Sequence, residues 1–319
     1  GVDEGVVFHG DTKINTQGVM YFPTGDTSQR GRGRGLFGGG VSPAGINLIA
    51  YIQIQSTGNS KDFGDLTRAG TLLATCSSST RGLWGGDYPS AANTIDYVTI
   101  ATTGNALDFG DLTDGRYNFS GCGSETRGLF GGGHDPSVID VIDYVTIATT
   151  GNATDFGNLL AGCNGVSSAS SPTRGLWFGG STGTRQNVIQ YVTIATTGNA
   201  TDFGDMQETK HNTGALSSQT RALVAGGNTG SIVDTIDYVE IATTGNGVDF
   251  GNLTAARQGA GTVSNSRRGV FASGLTPSST NIMDYVTIET TGNATDYGDL
   301  DPTINHFPEG LSDSHGGLS

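Results

Sequence analysis

The sequence predicts an all-β protein, a six-bladed β-propeller, on three observations. A unit of about 47 residues recurs six times, and a period of that size means stacked supersecondary units. Each unit carries four short strand signals divided by turn residues, which is the content of one antiparallel blade. The units also keep register. A lead arginine recurs as Arg34, Arg81, Arg127, Arg174, Arg221 and Arg268, and a late aromatic as Phe63, Phe109, Phe156, Phe203, Phe250 and Tyr297. From each aromatic to the next arginine is 18 residues; from arginine to aromatic is 29, or 28 in the copy of Arg81. Such spacing leaves little room for insertions, so most of the unit is packed structure.

The copy around Arg81 shows the elements in order. The first strand, near Thr71–Cys76, is built of small residues that suit a crowded inner ring. The second is Gly82–Gly85 and ends in a glycine pair that marks a turn. The third, Ile95–Ala101, alternates with period two: Ile95, Tyr97 and Thr99 on one side, Asp96, Val98 and Ile100 on the other. Bulky groups on both sides suit a strand sandwiched between neighbouring sheets. A Thr-Gly-Asn turn then leads to a short fourth strand near Asp108–Leu112.

The blade resembles the kelch and galactose-oxidase class of propeller. The residues that carry the resemblance are a double glycine after the second strand, a tyrosine in the third and an aromatic in the fourth. The double glycine is Gly39-Gly40, Gly85-Gly86, Gly132-Gly133, Gly179-Gly180 and Gly226-Gly227, decaying to Ser273-Gly274. The tyrosine is Tyr51, Tyr97, Tyr144, Tyr191, Tyr238 and Tyr285. The fourth-strand aromatic is Phe or Tyr where kelch blades usually have Trp. The resemblance covers residues 34–315 and implies a fold, not an activity.

Ring closure follows from counting. Eighteen residues beyond Tyr297 the arginine position falls on His315, so Pro302–Gly316 reads as a first strand without a blade of its own. The unit at Arg34 lacks a first strand. The C-terminal segment is therefore expected beside Gly35–Gly39, which leaves no open edge. Two segments result: an N-terminal extension, 1–33, and the propeller, 34–319. Within the extension, Val6–Phe8 and Val19–Phe22 read as hairpin strands. A seventh blade does not fit, because about twelve residues between Phe22 and Gly35 are too few for a fourth strand and a following first strand.

Composition narrows the function classes. The chain has 319 residues, 53 of them Gly, and a net charge of −14 with three lysines. Glycine without a three-residue period excludes collagen. An acidic surface without a basic patch argues against nucleic-acid binding. No run of 18 apolar residues exists, so no membrane-spanning helix is expected. The first residue is Gly1 rather than Met, which reads as a processed, trimmed or partial chain. Cys76 and Cys122 share a position that elsewhere holds Ala169, Leu216 and Val263, so they read as buried apolar residues; with Cys163 they match no zinc or disulfide pattern.

Two repeated polar residues invite a role. The Thr-Asp-Phe-Gly turn places Asp62, Asp108, Asp155, Asp202, Asp249 and Asp296 where the Asp-box of sialidase-type propellers lies, and resembles it without its Ser and Trp. That resemblance implies a structural aspartate capping turn amides; calcium is the weaker alternative, since the loop offers few oxygens. The six arginines form a ring on one face, expected to meet nearby carboxylates such as those aspartates, with anion binding as the alternative. No metal, cofactor or catalytic set is expected. His9, His134, His211, His306 and His315 share no repeat position, and nucleophile-elbow, zincin and phosphate-loop motifs are missing.

Comparing the six copies separates scaffold from recognition. The turn between third and fourth strands hardly varies, whereas the loops between second and third strands differ in every copy, as do the connections between blades. Both variable sets share one face of an up-and-down blade, and loops on a rigid scaffold carry recognition. Tyr88, Tyr117, His134, Asp135 and Arg185 are the candidate contacts. Finally, the phrase Asp143–Leu159, with the leader Phe22–Asp26 and Arg30–Phe37, resembles kelch-like repeat proteins of marine bacteriophages. The resemblance implies a non-enzymatic virion component on a tail or fibre, or decorating the particle. Its partners would be other virion proteins through the N-terminal arm, a host-surface glycan or protein, and further copies of itself. A secreted or cell-surface carbohydrate-binding adhesin is the alternative, and a glycosidase-like enzyme ranks below both.

Overall fold

A computed structural model describes residues 33–41, 44–304 and 306–318, and the backbone of three short strands in the extension. Those three, Val6–Val7, Lys13–Ile14 and Met20–Tyr21, pair in order as a small antiparallel meander. The hydrophobic pattern marks the outer two and not the middle one. The rest of the expected arm, including Phe8, Val19 and Phe22, lies outside the described residues.

Six four-stranded antiparallel sheets form a closed ring. In blade 3 the strands are Ser120–Gly123, Arg127–Gly131, Val141–Thr146 and Thr154–Asn158, from the axis outward. Blade 1 is completed by the distant segment Glu309–Ser312, which pairs with Arg34–Gly38 so that Glu309 faces Gly38 and Ser312 faces Gly35. The expected closure is present, with a shorter strand than the stretch assigned to it. The Asp313 carboxylate latches the junction by accepting the Gly33 and Arg34 amides at 2.6 and 3.0 Å. Ser78, Ser124, Ser171 and Ser218 do the same for the ordinary turns.

The core is six wedges, each between neighbouring blades. Cys122, Leu129, Ile142 and Phe156 of blade 3 pack against Val166, Trp177, Val192 and Ile194 of blade 4, for example. A bulge in every outer strand aims its aromatic inward: Asp143 faces Asp155 and Ile142 faces Gly157, so Phe156 is the extra residue and is buried. The second strand must be small at its second residue, after the arginine, because the neighbouring inner strand presses on it. A Cβ on Gly128 would lie 2.3 Å from Cys76 Sγ, and one on Gly269 would lie 2.4 Å from Leu216. The one alanine at this position, Ala222, shares its wedge with Ala169, the smallest residue in the facing position.

Two repeated devices stitch the wedges together. Each Thr-Gly-Asn turn reaches the outer strand of the preceding blade, where the Asn side-chain oxygen accepts a backbone amide at 3.0–3.1 Å. Two backbone bonds flank it, such as Gly151 N to Phe109 O and Ala153 N to Asp111 O. The approach is so close that the outer strand needs glycine there. Gly110 has φ +146°, and a Cβ would sit 2.5 Å from the Gly151 carbonyl oxygen. The arginines form the second device. Each stacks on the tyrosine of its own blade, with 4.3–4.9 Å to the ring centroid. Each also donates to a backbone carbonyl of the next blade, from Arg34 to Ile100 O round to Arg268 and Ile54 O.

These contacts revise the polar roles expected from the sequence. The carbonyl, not a turn aspartate, is the shared partner of the arginines; among the described residues only Arg221 adds a carboxylate, Glu240, at 2.7 Å. Asp62, Asp108, Asp155, Asp202, Asp249 and Asp296 are exposed, and the cross-blade cap is the asparagine three residues earlier. It is the short amide side chain of the turn, not the following carboxylate, that points across the seam.

Candidate functional site

The loop face combines the six loops between second and third strands with the six inter-blade connections. Each connection bonds to the loop beside it: Thr71 to Tyr88, Tyr117 to His134, Asn164 to Ser181, His211 to Asn228, Gln258 to Leu275 and His306 to Val41. This pairing decides which candidate residues meet. Tyr88 and Tyr117 pack edge to face, 5.1 Å between centroids at 66°. Tyr117 also lies 5.4 Å from the His134 ring, and its hydroxyl is 3.0 Å from His134 Nδ1. Three segments thus converge across blades 2 and 3 on one aromatic corner. Asp135 is exposed in the same loop as His134. Arg185 belongs elsewhere: it lies on the loop of blade 4, near His211, whose protonation is opposed first by burial and then by the Arg185 charge.

Beneath this face lies a layer whose cations come from the connections expected to vary for recognition. Arg116 and Asp143 form an ion pair at 3.0 Å with both side chains fully buried. Lys210 meets Asp237 at 3.2 Å, and Arg257 meets Asp284. The aspartate is the central residue of the repeated Ile-Asp-Tyr, which reads Met-Asp-Tyr at Asp284, and the cation comes from the connection into its blade. Burial dominates the electrostatics: it lowers the Arg116 pKa, against the pull of Asp143. Where the acid is replaced, so is the cation. Gln190 in blade 4 has Cys163 in the cation position and accepts the Leu160 amide at 2.7 Å, while Ala50 in blade 1 packs with Ile304. In blade 2, Asp96 has Gly70 in the cation position and Thr67 as donor through both its amide and hydroxyl. Burial raises the Asp96 pKa there.

A central channel lies on the ring axis, lined by the inner strands. At the loop face its mouth is a belt of six residues with left-handed backbone: Leu72, Asn118, Gly165, Asn212, Gly259 and Phe307. Successive members are tied by backbone bonds, such as Gly165 N to Asn118 O and Phe307 N to Gly259 O. Four of the six are not glycine, so the belt holds strained backbone in place through these bonds. The wall below is hydroxyl-rich. Ser77, Ser312, Ser264, Ser217 and Ser170 each donate to the carbonyl of the next position, ending at Gly123 O. Glu309 stands alone there, where other blades carry Ala74, Ser120, Ser167, Gly214 and Gly261. Burial holds its pKa well above the usual carboxylate range.

The far end of the channel is closed by residues 314–318. His315 does not take the arginine position that counting assigned to it, because Arg34 already fills that place in blade 1. Instead it turns inward, with Nε2 2.9 Å from Ser77 O and Nδ1 accepting the Gly317 amide at 3.0 Å. Leu318 is fully buried, and its carbonyl accepts from Gln219 at 2.8 Å. Gly317 lies against blades 3 and 4, where a Cβ would be 1.9 Å from Gly123 O. Among the described residues no three His, Cys, Asp or Glu side chains converge as metal ligands. No protein-family model matches the chain, and no curated protein is significantly similar to it.

Proposed function

We propose that this propeller is a non-catalytic recognition module, a virion component that displays its variable loops to a host surface. The observation that carries the reading is the contrast between the two faces. On one, six near-identical turns are committed to cross-blade bonding. On the other, loops of differing sequence are held in register by backbone bonds and gather exposed side chains, Tyr88 foremost. A rigid scaffold beneath divergent loops is the arrangement of a binding surface. The phage-like phrase Asp143–Leu159 supports the virion setting, and residues 1–33 are the proposed mount through which the ring joins other virion proteins.

The test is location. Mass spectrometry and immunogold labelling of purified particles should find the chain, with the loop face turned outward. A chain missing from particles but recovered with cell envelopes would favour the second reading, a cell-surface carbohydrate-binding adhesin, which the half-exposed tyrosine also supports. Sustained turnover of a glycoside, lost in Asp135→Asn, would overturn the non-catalytic assignment.

A further inference from the structure

We infer that the Tyr88–Tyr117–His134 corner is a binding subsite for a neutral pyranose, an inference that rests on the recognition reading and names the ligand class of its surface. The first argument is shape. Two rings 5.1 Å apart and inclined at 66° make a floor and a wall, and Tyr88 is 46% exposed. A pyranose has apolar C–H faces and a polar rim, so it stacks on one ring while its hydroxyls meet polar groups around the corner. Those groups are present. Tyr117 and His134 bring polar tips, and Asp114 and Asp135 are exposed acceptors nearby in sequence. Among the described residues the Tyr88 hydroxyl has no hydrogen-bond partner.

The second argument is rigidity. The Tyr88 amide is fixed to Thr71 O at 2.9 Å, and Tyr117 and His134 exchange backbone bonds at 3.4 and 3.0 Å. Arg116, next to Tyr117, is locked by its buried ion pair. A site ordered before binding loses little freedom on capture, which a small ligand with few contacts requires. The third argument is charge. Exposed Asp135, next to His134 in the chain, and a net charge of −14 disfavour sulfated, phosphorylated or sialylated ligands. A protein partner would need roughly 800 Å² on each side with an apolar centre. Here the chain neighbours of Tyr88 and His134, namely Pro89, Ser90, Pro136 and Ser137, are exposed. The equivalent positions Ser181 with Asn164, and Asn228 with His211, offer no phenol ring, so the subsite belongs to one sector of the ring.

The experiment uses the purified full chain on a printed array of neutral and anionic glycans, followed by titration of the strongest neutral oligosaccharide. Tyr88→Ala should weaken binding by more than about tenfold, because an exposed aromatic at the centre of a small contact carries much of its energy. Tyr88→Phe should stay within about threefold, since stacking survives. Both variants should melt like the parent. No neutral glycan above background, a preference for anionic glycans, or unchanged binding by Tyr88→Ala would each overturn the inference. Adhesion of labelled chain to host cells separates the two levels. Adhesion lost in Tyr88→Ala without glycan binding sinks the saccharide class and leaves the recognition reading. Glycan binding without adhesion does the reverse.

Discussion

The buried pair Arg116–Asp143 offers a quantitative test of how the loop face is supported, because the chain contains its own controls. Asp143→Gln leaves the Arg116 guanidinium without its counterion in a fully buried place. Arg116 already has two buried nitrogens, Nε and Nη1, without hydrogen-bond partners. Breaking such a pair from one side costs about 3–5 kcal/mol. At about 2–3 °C per kcal/mol for a ring of this size, Tm should fall by about 6–15 °C. Adding Arg116→Cys recreates the Cys163 and Gln190 arrangement of blade 4, where the amide oxygen accepts a backbone N–H at 2.7 Å. The double variant should recover all but about 1 kcal/mol, a coupling of at least about 2 kcal/mol in a double-mutant cycle. Urea unfolding with an unchanged slope would measure it. A single variant within about 1 kcal/mol of the parent, or a double variant no better than the single, would refute the view that charge and countercharge are held as a unit.

Two further outcomes probe the seam and the channel. Asn152→Ala removes one exposed cross-blade bond and should cost about 0.5–1 kcal/mol. Gly110→Ala drives a Cβ against the Gly151 carbonyl from a positive φ and should cost more than about 2 kcal/mol; the opposite ranking in thermal melts would discredit the seam. For Glu309 the sign follows from its raised pKa. The folded chain binds the proton more tightly than the unfolded chain, so its contribution is full below the ordinary glutamate range and is lost as pH rises through the folded value. Glu309→Gln should therefore stabilise the ring at pH 7.5 more than at pH 4, and an equal Tm offset at both would contradict it.

The six blades, their strand order and the closure by the C-terminal segment are legible in the repeat alone, because all three are periodic or countable. Cross-blade chemistry is harder to read. Asn152 caps an amide 41 residues away, and Arg127 meets a carbonyl 67 residues away, so neither partner is a sequence neighbour. The carboxylate nearest in the chain is the wrong partner in each case. Yet the copies hold a signal that comparison of single positions misses: Cys163 changes with Gln190, Ile304 with Ala50, and Ala222 with Ala169. Paired departures from the repeat mark contacts. Of the five candidate residues, Tyr88, Tyr117 and His134 converge because neighbouring segments bond to each other, whereas Arg185 sits in a different sector. Glu309 is a lone charge in a column of small residues, a departure that only alignment of the inner strands brings out.

The latch between Asp313 and the Gly33 amide joins positions 280 residues apart, and this sets an order of events on the ribosome. Every other blade can pair its strands as they emerge, whereas Arg34–Gly38 must wait, one edge bare, until Glu309–Ser312 is made. At about 5–20 residues per second that interval is on the order of 15–60 s. A bare strand edge is a template for the wrong partner, including the same segment of a nascent neighbour. The late segment therefore acts as a proof of completeness: a chain released before it is made retains an open seam and an unplugged channel.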